Sequence, residues 1–321
     1  MRIFLLFSIL ILALLGSLIL AMSIGSVPIA FNEMLHAFSD KQHLAYTLIF
    51  ELRLPRAMAA LLCGGMLALA GVLMQALLRN PLADPYVLGV SGGAASAALL
   101  AIMAGMGAWV TQAAAFGGAL ISILLVFILA HRKGCWTSNR MLLTGVILAA
   151  GWNAFISFLL TLSPDTQIHG MLFWLMGDLS HAQISIYEGG FLVLMTFVSF
   201  IFARHLNLVA RSELQAAALG VNTKTLRITI FFTASLLTAV AISLAGSIGF
   251  IGLIAPHMLR LVIGSNHRIL VPASVLLGGT LLLLADTLAR TILAPTQLPV
   301  GILTAMLGVP AFLFLLYRSK Q

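Results

Sequence analysis

The sequence has little charge. Asp, Glu, Lys and Arg make up 8% of its 321 residues, whereas soluble domains carry about a quarter, so the composition excludes a soluble globular protein. Cysteine is also scarce. Cys63 and Cys135 fall in different regions of the chain and cannot form a disulfide framework. The eight histidines lack the paired spacing of a metal site, and no Ser/His/Asp or paired-acid arrangement suggests an enzyme.

What is abundant is apolar sequence, at 61% of the residues. About 20 apolar residues span the hydrocarbon core of a membrane as a helix, and a backbone in lipid must satisfy its own hydrogen bonds. The sequence therefore predicts an all-α, polytopic membrane protein with one domain over 1–321 and ten transmembrane helices, at about 3–23, 57–77, 87–105, 111–130, 141–162, 185–203, 228–246, 248–263, 270–289 and 299–317. The first stretch is longer than a signal-peptide core of about 7–15 residues, which favours a retained helix.

The distribution of positive charge predicts that both termini are cytoplasmic. With this topology thirteen of the 17 lysines and arginines lie inside, and only Lys41, Arg53, Arg56 and Arg290 lie outside. Such an excess is the usual cytoplasmic bias. It also explains the net charge of +8 better than a nucleic-acid partner does. We therefore expect membrane lipid, and no nucleic acid, around the chain.

Three of the exceptions, Arg53, Arg56 and Arg290, fall at the outer edge of the membrane. Arginines near helix ends often extend their charge to the interface. Three of them could instead form a docking surface for carboxylates of an extracytoplasmic partner. Charge alone leaves both interpretations open.

The longest cytoplasmic segment, 204–227, has the pattern of a contact surface. Ser212 to Gly220 has an N-cap residue and a glycine stop, which predicts a short helix, and Val221 to Arg227 could start another. The alternative is a simple connector. Gly220 to Thr225 superficially resembles a phosphate loop but lacks its second glycine and the preceding strand, so we find no nucleotide site in the chain.

The predicted spans contain almost no ionisable residues. Ionisable residues inside a span are the usual sign of ion coupling. Asp286 and Arg290 are four residues apart near the outer end of one span, where they could pair. Nothing resembles a relay of buried carboxylates. We therefore predict no catalytic residues, metal or cofactor in this chain, and if it moves a cargo we expect its energy source to lie in another chain.

Several segments resemble the FecCD-type permeases, the membrane subunits of bacterial ABC importers for ferric siderophores, haem and vitamin B12. In the first half these are Leu52-Arg53-Leu54-Pro55-Arg56, Leu69 to Gln75, Arg79-Asn80-Pro81-Leu82-Ala83-Asp84-Pro85 and Leu88 to Ser91. In the second half they are Gly249 to His257, Ala285-Asp286 with Arg290, and Leu298 to Ala305 with Gly308 and Pro310. The resemblance follows the order of essentially the whole chain.

The resemblance implies a multi-pass protein of the inner membrane. It also implies a second permease subunit (this chain or a paralogue), two cytoplasmic ATP-binding subunits and a periplasmic substrate-binding protein. Arg53, Arg56 and Arg290 match arginines that receive acidic groups of the binding protein. The resemblance assigns coupling to the ATPases to Ser212, Glu213, Ala216, Ala217, Leu219, Gly220 and Asn222, and the cytoplasmic gate to Asn80, Leu82, Thr137 and Ser138.

One departure from the family pattern is Gln297, where a glutamate usually precedes Leu-Pro. It makes the outer surface more basic and puts the contacts of that acid in doubt. We expect an iron(III)-siderophore-type chelate as cargo, with haem or vitamin B12 as the alternative. A stand-alone channel or secondary transporter is the alternative from another class, and it would carry cargo without an ATPase.

Overall fold

The structure is a computed structural model that describes residues 2–25, 44–130, 138–180, 182 and 184–319. Helices dominate the described chain: α1 Arg2–Ser23, α2 Leu54–Leu78, α3 Val90–Met103, α4 Ala108–Ala130, α5 Ser138–Leu162, α6 Asp165–Met176, α7 Ile186–Arg211, α8 Glu213–Ala218, α9 Thr223–Ala245, α10 Ile251–Ile263, α11 His267–Thr291 and α12 Val300–Ser319. A short helix Leu44–Tyr46 and a π-helix Thr47–Arg53 lead into α2, and a 3-10 helix Pro85–Leu88 precedes α3.

The ten predicted spans correspond to ten of these helices. Seven are long and apolar enough to cross a membrane, and α3, α10 and α12 are shorter apolar helices. The prediction of an all-α membrane protein is therefore confirmed. The sequence analysis placed no helix at α6, because its 12 residues are too few to span the membrane.

Helix α2 forms the centre of the bundle and packs against α9, α10 and α11. Glycines allow these helices to approach closely. A methyl group on Gly64 would overlap the carbonyl oxygen of Gly278, and one on Gly71 would overlap that of Gly252. Small residues at these contacts increase van der Waals packing between membrane helices. They explain why α2 is almost wholly buried, whereas α1, α5 and α7 expose most of their surface.

Two irregular segments lie within the bundle. The first, 79–89, lies between α2 and α3, and the second, 246–250, separates α9 from α10. The hydroxyl of Tyr86 in the first segment donates to the carbonyl oxygen of Ile248 at 2.9 Å and accepts from its N–H at 3.1 Å. Non-helical backbone is tolerated at membrane depth only where its polar groups are satisfied by the protein. Tyr86 therefore stabilises the break that lets α10 begin beside Gly71, away from the ends of α2.

Candidate functional site

A cluster of charged side chains forms at the outer end of α2 and α11. Arg56 Nε donates to both carboxylate oxygens of Asp286, at 3.0 and 3.1 Å, and Arg290 Nε lies 3.2 Å from Asp286 Oδ2. Asp286 is 0% exposed. The expected pairing of Asp286 with Arg290 is confirmed. The pairing with Arg56, which lies 230 residues away in the chain, joins α2 to α11.

The same cluster ties α1 to the bundle. Arg53 Nη1 donates to the carbonyl oxygens of Met22 and of Ser23, the latter at 3.1 Å. Arg290 Nη2 donates to the carbonyl oxygen of Ala21 at 3.4 Å. The last carbonyl groups of a helix have no partner within the helix, and cations near them are favourable. The arginines thus cap the C-terminus of α1, which otherwise has few buried residues.

Burial distinguishes these arginines from ordinary interfacial ones. Arg53, Arg56 and Arg290 are 6, 9 and 6% exposed, so their guanidinium groups do not extend into water. They line a cavity of about 230 Å³ together with Gln297 and Ser180. We call Arg53, Arg56, Asp286, Arg290 and Gln297 the outer arginine cluster.

Among the described residues, the three guanidinium groups of the outer arginine cluster outnumber the carboxylates beside them. Arg56 and Arg290 contact the carboxylate of Asp286, and a second carboxylate, that of Asp178, lies 4.0 Å from Arg56. Gln297 contributes a neutral oxygen, since its Oε1 accepts from Arg56 Nη1 at 2.7 Å. The cavity can therefore attract an anionic group.

The cytoplasmic end presents the short helix α8. Ser212 Oγ accepts from the N–H of Gln215 at 3.4 Å, and Gly220 follows the helix with φ 83°. Asn222 Oδ1 accepts from the N–H of Thr225 at 3.0 Å and so begins α9. These contacts confirm the predicted short helix with its N-cap and glycine stop, and the predicted start of a second helix.

The surface of α8 is apolar and open. Leu214 and Leu219 are 84 and 68% exposed, and Ala217 is exposed beside them, whereas Ala216 is buried against the bundle. Large exposed apolar side chains at a membrane protein's aqueous end are typical of a contact with another protein. We call Ser212 to Asn222 the coupling segment.

An ion-pair network holds the coupling segment against the bundle. The carboxylate of Glu213 pairs with Arg227 in the first turns of α9, and it lies 3.9 Å from Arg79 Nη2. Arg79 ends α2 in the left-handed conformation, with φ 48°. Because Asn80 follows directly, Glu213 connects α8 to the start of the predicted gate.

Two of the predicted gate residues form a turn. Asn80 Oδ1 accepts from the N–H of Leu82 at 2.9 Å, and both side chains are exposed. Nearby, Asp84 Oδ1 accepts from the N–H of Tyr86 at 2.7 Å, and burial raises the pKa of Asp84 to about 6. Thr137 lies outside the described residues and Ser138 is the first residue of α5, so the assignment of these two to the gate stays a prediction.

A second cavity, which the sequence analysis missed, lies between the ends of α3 and α9, the start of α4, and α6. It measures about 460 Å³ and is lined by Phe173, Trp174, His169, Gln112 and Asp178, among others. The rings of His169 and Phe173 lie 4.6 Å apart. In the sequence, the apolar and aromatic run Met171 to Met176 could have indicated this cavity, but the run is too short to suggest a membrane span.

The fold defines a multi-pass helical membrane protein with a distinct cluster of side chains at each end. Within the described ranges, no group of three or more His, Cys, Asp or Glu residues could hold a metal ion. What the structure offers instead is a cationic cavity at the outer end and an exposed apolar helix at the cytoplasmic end.

Comparisons with known proteins agree with this class. The model of the FecCD transport family matches residues 10–318. The chain is 38% identical to the Fe(3+) dicitrate transport system permease protein FecD of Escherichia coli K12, over 96% of this chain and 97% of the relative. It is 37% identical to the hemin transport system permease protein HmuU of Yersinia pestis, over 93% and 91%. The chain therefore belongs to the FecCD transport family, as a multi-pass ABC-transporter permease of the inner membrane.

A solved structure supports the fold over the full length. It is described as an inward-facing conformation of a putative metal-chelate type ABC transporter. The TM-score is 0.87 with 32% identity, over 98% of this chain and 99% of that one. The expected membership of the family, the ten-helix architecture and the membrane location are thus confirmed.

Proposed function

We propose that this chain is the permease subunit of an importer that carries an iron(III)-siderophore-type chelate across the inner membrane. The observation that carries the proposal is the similarity to FecD, whose name states a ferric dicitrate cargo, at 38% identity along nearly the whole of both chains. Haem and vitamin B12 are the alternatives, because hemin and cobalamin import permeases are similar to this chain at comparable identity. The chelate is transported intact, as substrate.

The energy comes from two separate ATP-binding subunits in this proposal. The coupling segment supports it, because Leu214 and Leu219 are available to enter a groove on a partner. Closure of the partners would move α8, and Glu213 would transmit this movement to Arg79 and the gate. ATP binding then biases the two permease subunits between outward and inward states by differential affinity.

Delivery of the chelate depends on a periplasmic binding protein that docks at the outer arginine cluster. A carboxylate of this partner would enter the cavity beside Arg53, Arg56 and Arg290. Charge-assisted hydrogen bonds from guanidinium to carboxylate are among the strong polar contacts of interfaces. The excess positive charge of the cavity supports this assignment.

Reversing the arginines would not test docking cleanly, because Arg56 and Arg290 are the partners of the buried Asp286. We choose Gln297→Glu instead. It changes one atom group, keeps an acceptor for Arg56 and lowers the cluster's charge by one. We expect binding-protein affinity to fall about five-fold at low salt, since interfacial charge affects binding at short range. The difference should shrink at high salt.

The matched control is Gln215→Glu, the same chemical change on the cytoplasmic α8. Binding would be measured with the complex in nanodiscs by surface plasmon resonance at two salt concentrations. Equal affinity and equal salt dependence for wild type and Gln297→Glu would refute docking at this cluster. The rest of the proposed function would stand.

Cargo is tested by uptake in cells that lack the gene, using radiolabelled ferric chelates, haem and cobalamin. Loss of ferric chelate uptake, restored by the gene, is the expected result. Loss confined to haem or cobalamin would leave the transport mechanism intact and replace the cargo. Cells carrying an ATPase-dead partner serve as the control for energy coupling.

A stand-alone channel or secondary transporter predicts flux without an ATPase. Proteoliposomes containing only this permease would show that flux directly. The ionisable cluster at the outer end gives this alternative little support, because Asp286 is fully engaged by Arg56 and Arg290. Flux without the partner subunits would overturn the ABC proposal.

A further inference from the structure

A groove runs along the membrane-facing seam between α7 and α11. It encloses about 480 Å³ and is lined by Leu192, Val193, Thr196, Phe197, Phe200, Pro272, Val275 and Leu276. Thr196 is the one lining side chain with a polar group, and its hydroxyl donates to the carbonyl oxygen of Leu192 at 2.7 Å. The groove therefore offers a purely apolar surface.

Gly65 of α2 lies beneath two side chains that line this groove, Leu192 and Val275. A methyl group at that position would lie 3.1 Å from side-chain carbons of both Leu192 and Val275. The wall formed by α7 is the more exposed one, since Val193 and Phe197 are 69 and 61% exposed, whereas Pro272, Val275 and Leu276 of α11 are partly buried. An elongated apolar chain can thus lie between the two helices without displacing protein atoms.

The cytoplasmic ends of α7 and α11 are joined by hydrogen bonds. Asn207 Nδ2 donates to Asn266 Oδ1 at 3.1 Å, and Asn207 Oδ1 accepts from the N–H of His267 at 2.9 Å. These bonds fix the seam next to the membrane surface. Residues shortly before Asn207 and shortly after His267 therefore lie at the boundary of the cytoplasmic leaflet.

Each wall of the groove continues into an exposed arginine at that boundary. Arg204 lies four residues beyond Phe200, and Arg268 four residues before Pro272, so each shares a helix face with the groove. Both arginines are exposed. The one acidic residue in each helix, Glu188 in α7 and Asp286 in α11, lies toward the opposite end. The cytoplasmic mouth of the groove is therefore cationic.

We propose that the seam between α7 and α11 binds one anionic phospholipid of the cytoplasmic leaflet, with an acyl chain in the groove and the phosphate at Arg204 and Arg268. Basic pockets between membrane helices on the cytoplasmic side are suited to anionic headgroups. A free phosphate would not use the groove, and a neutral lipid would not use the arginines. The lipid would fasten α7, which carries the coupling segment at its end, to α11.

The test uses the full transport complex in mild detergent, with phosphatidylglycerol and phosphatidylcholine of identical acyl chains added at equal concentration. Native mass spectrometry would count the bound lipids. We expect phosphatidylglycerol to be retained preferentially. Each basic residue near an anionic headgroup contributes about a five-fold change in affinity, so Arg204→Gln with Arg268→Gln should weaken binding about 25-fold.

Two variants separate charge from shape. Arg140→Gln with Lys224→Gln removes the same charge from other exposed positions and should leave binding unchanged. Thr196→Phe fills the groove without changing charge and should displace the acyl chain. All substituted side chains are exposed or partly exposed, and unchanged elution on size exclusion would show that the variants are folded.

Three results would overturn the proposal. One is equal retention of phosphatidylglycerol and phosphatidylcholine by the wild type. Another is unchanged phosphatidylglycerol binding in the double Arg204, Arg268 variant. The last is a disulfide between two copies of Val193→Cys in membranes, which would show that a second copy covers the groove. Cross-linking of an acyl-chain diazirine lipid to 192–200 or 272–276 would support it.

Discussion

The two ends of the molecule use opposite chemistry. At the outer end, three arginines are almost fully buried and bound to Asp286 or to the carbonyl groups of α1. At the cytoplasmic end, the leucines of α8 are exposed and the charged network of Glu213, Arg79 and Arg227 lies near the surface. Charged side chains are buried at the outer end, whereas large apolar side chains are exposed at the cytoplasmic end.

This difference separates the residues that stabilise the fold from those that we propose to contact partners. In the outer arginine cluster the two sets coincide, because the groups that line the cavity also hold α1, α2 and α11 together. In the coupling segment they are distinct, since Ala216 packs inward while Leu214 points outward. A substitution at the outer end should therefore change both stability and docking, whereas a substitution at the inner end should change one without the other.

The strongest test of this contrast is Asp286→Asn. The substitution leaves the buried guanidinium groups of Arg56 and Arg290 without their carboxylate. Removal of one partner from a buried ion pair costs about 3–5 kcal/mol. We expect a large drop in the midpoint of thermal unfolding in detergent, or no folded protein at all.

Asp165→Asn is the matched control, because Asp165 is an exposed carboxylate in the first turn of α6. Its unfolding midpoint should stay close to that of the wild type. If both variants unfolded at the wild-type temperature, the ion cluster would not hold the outer end together.

Leu214→Glu tests the inner end, with a smaller effect on stability. An exposed side chain away from structural features changes stability by about 0.5 kcal/mol or less. Its loss from the centre of an interface weakens binding by about 2 kcal/mol, or about 30-fold. Co-purification with the ATP-binding subunit should fall while the unfolding midpoint stays constant. Thr225→Ala, at an exposed position of α9 outside the coupling segment, should retain the partner.

The sequence could predict features that depend on neighbours in the chain. Hydrophobic length predicted the ten spans, capping residues predicted α8, and the four-residue spacing predicted the pair of Asp286 and Arg290. In each case the physical cause acts within one continuous stretch of the chain, so a single segment contains the whole signal.

Contacts between distant segments could not be predicted in this way. Nothing near Arg56 indicates that its partner is Asp286 on α11, and the burial of all three arginines follows from that packing. Nor does composition reveal that Tyr86 binds the irregular backbone at Ile248. The aromatic cavity beside α6 likewise arises from four separated segments.

The smallest expected effect on stability concerns Asp84, which lies between the turn formed by Asn80 and Leu82 and the residue Tyr86. Burial raises the pKa of its carboxyl from 3.8 to about 6, so the folded state binds more protons than the unfolded state between these values. Stability should therefore rise as pH falls from 7 toward 4, by about 1–2 kcal/mol. Asp84→Asn keeps an acceptor for the N–H of Tyr86 and should stabilise the protein at pH 7.5 by about 1 kcal/mol.

Thermal unfolding of wild type and Asp84→Asn between pH 4.5 and 7.5 measures this effect, with Asp165→Asn again as the control. The curves of wild type and Asp84→Asn should converge at low pH, where Asp84 is protonated. A wild-type stability that rises with pH in this range, or an equal slope in Asp84→Asn, would contradict the assignment. Convergence would mean that the inner end also contains a partly buried charge. The contrast between the two ends would then rest on how the charge is compensated: by arginines for Asp286 outside, and by the backbone N–H of Tyr86 for Asp84 inside.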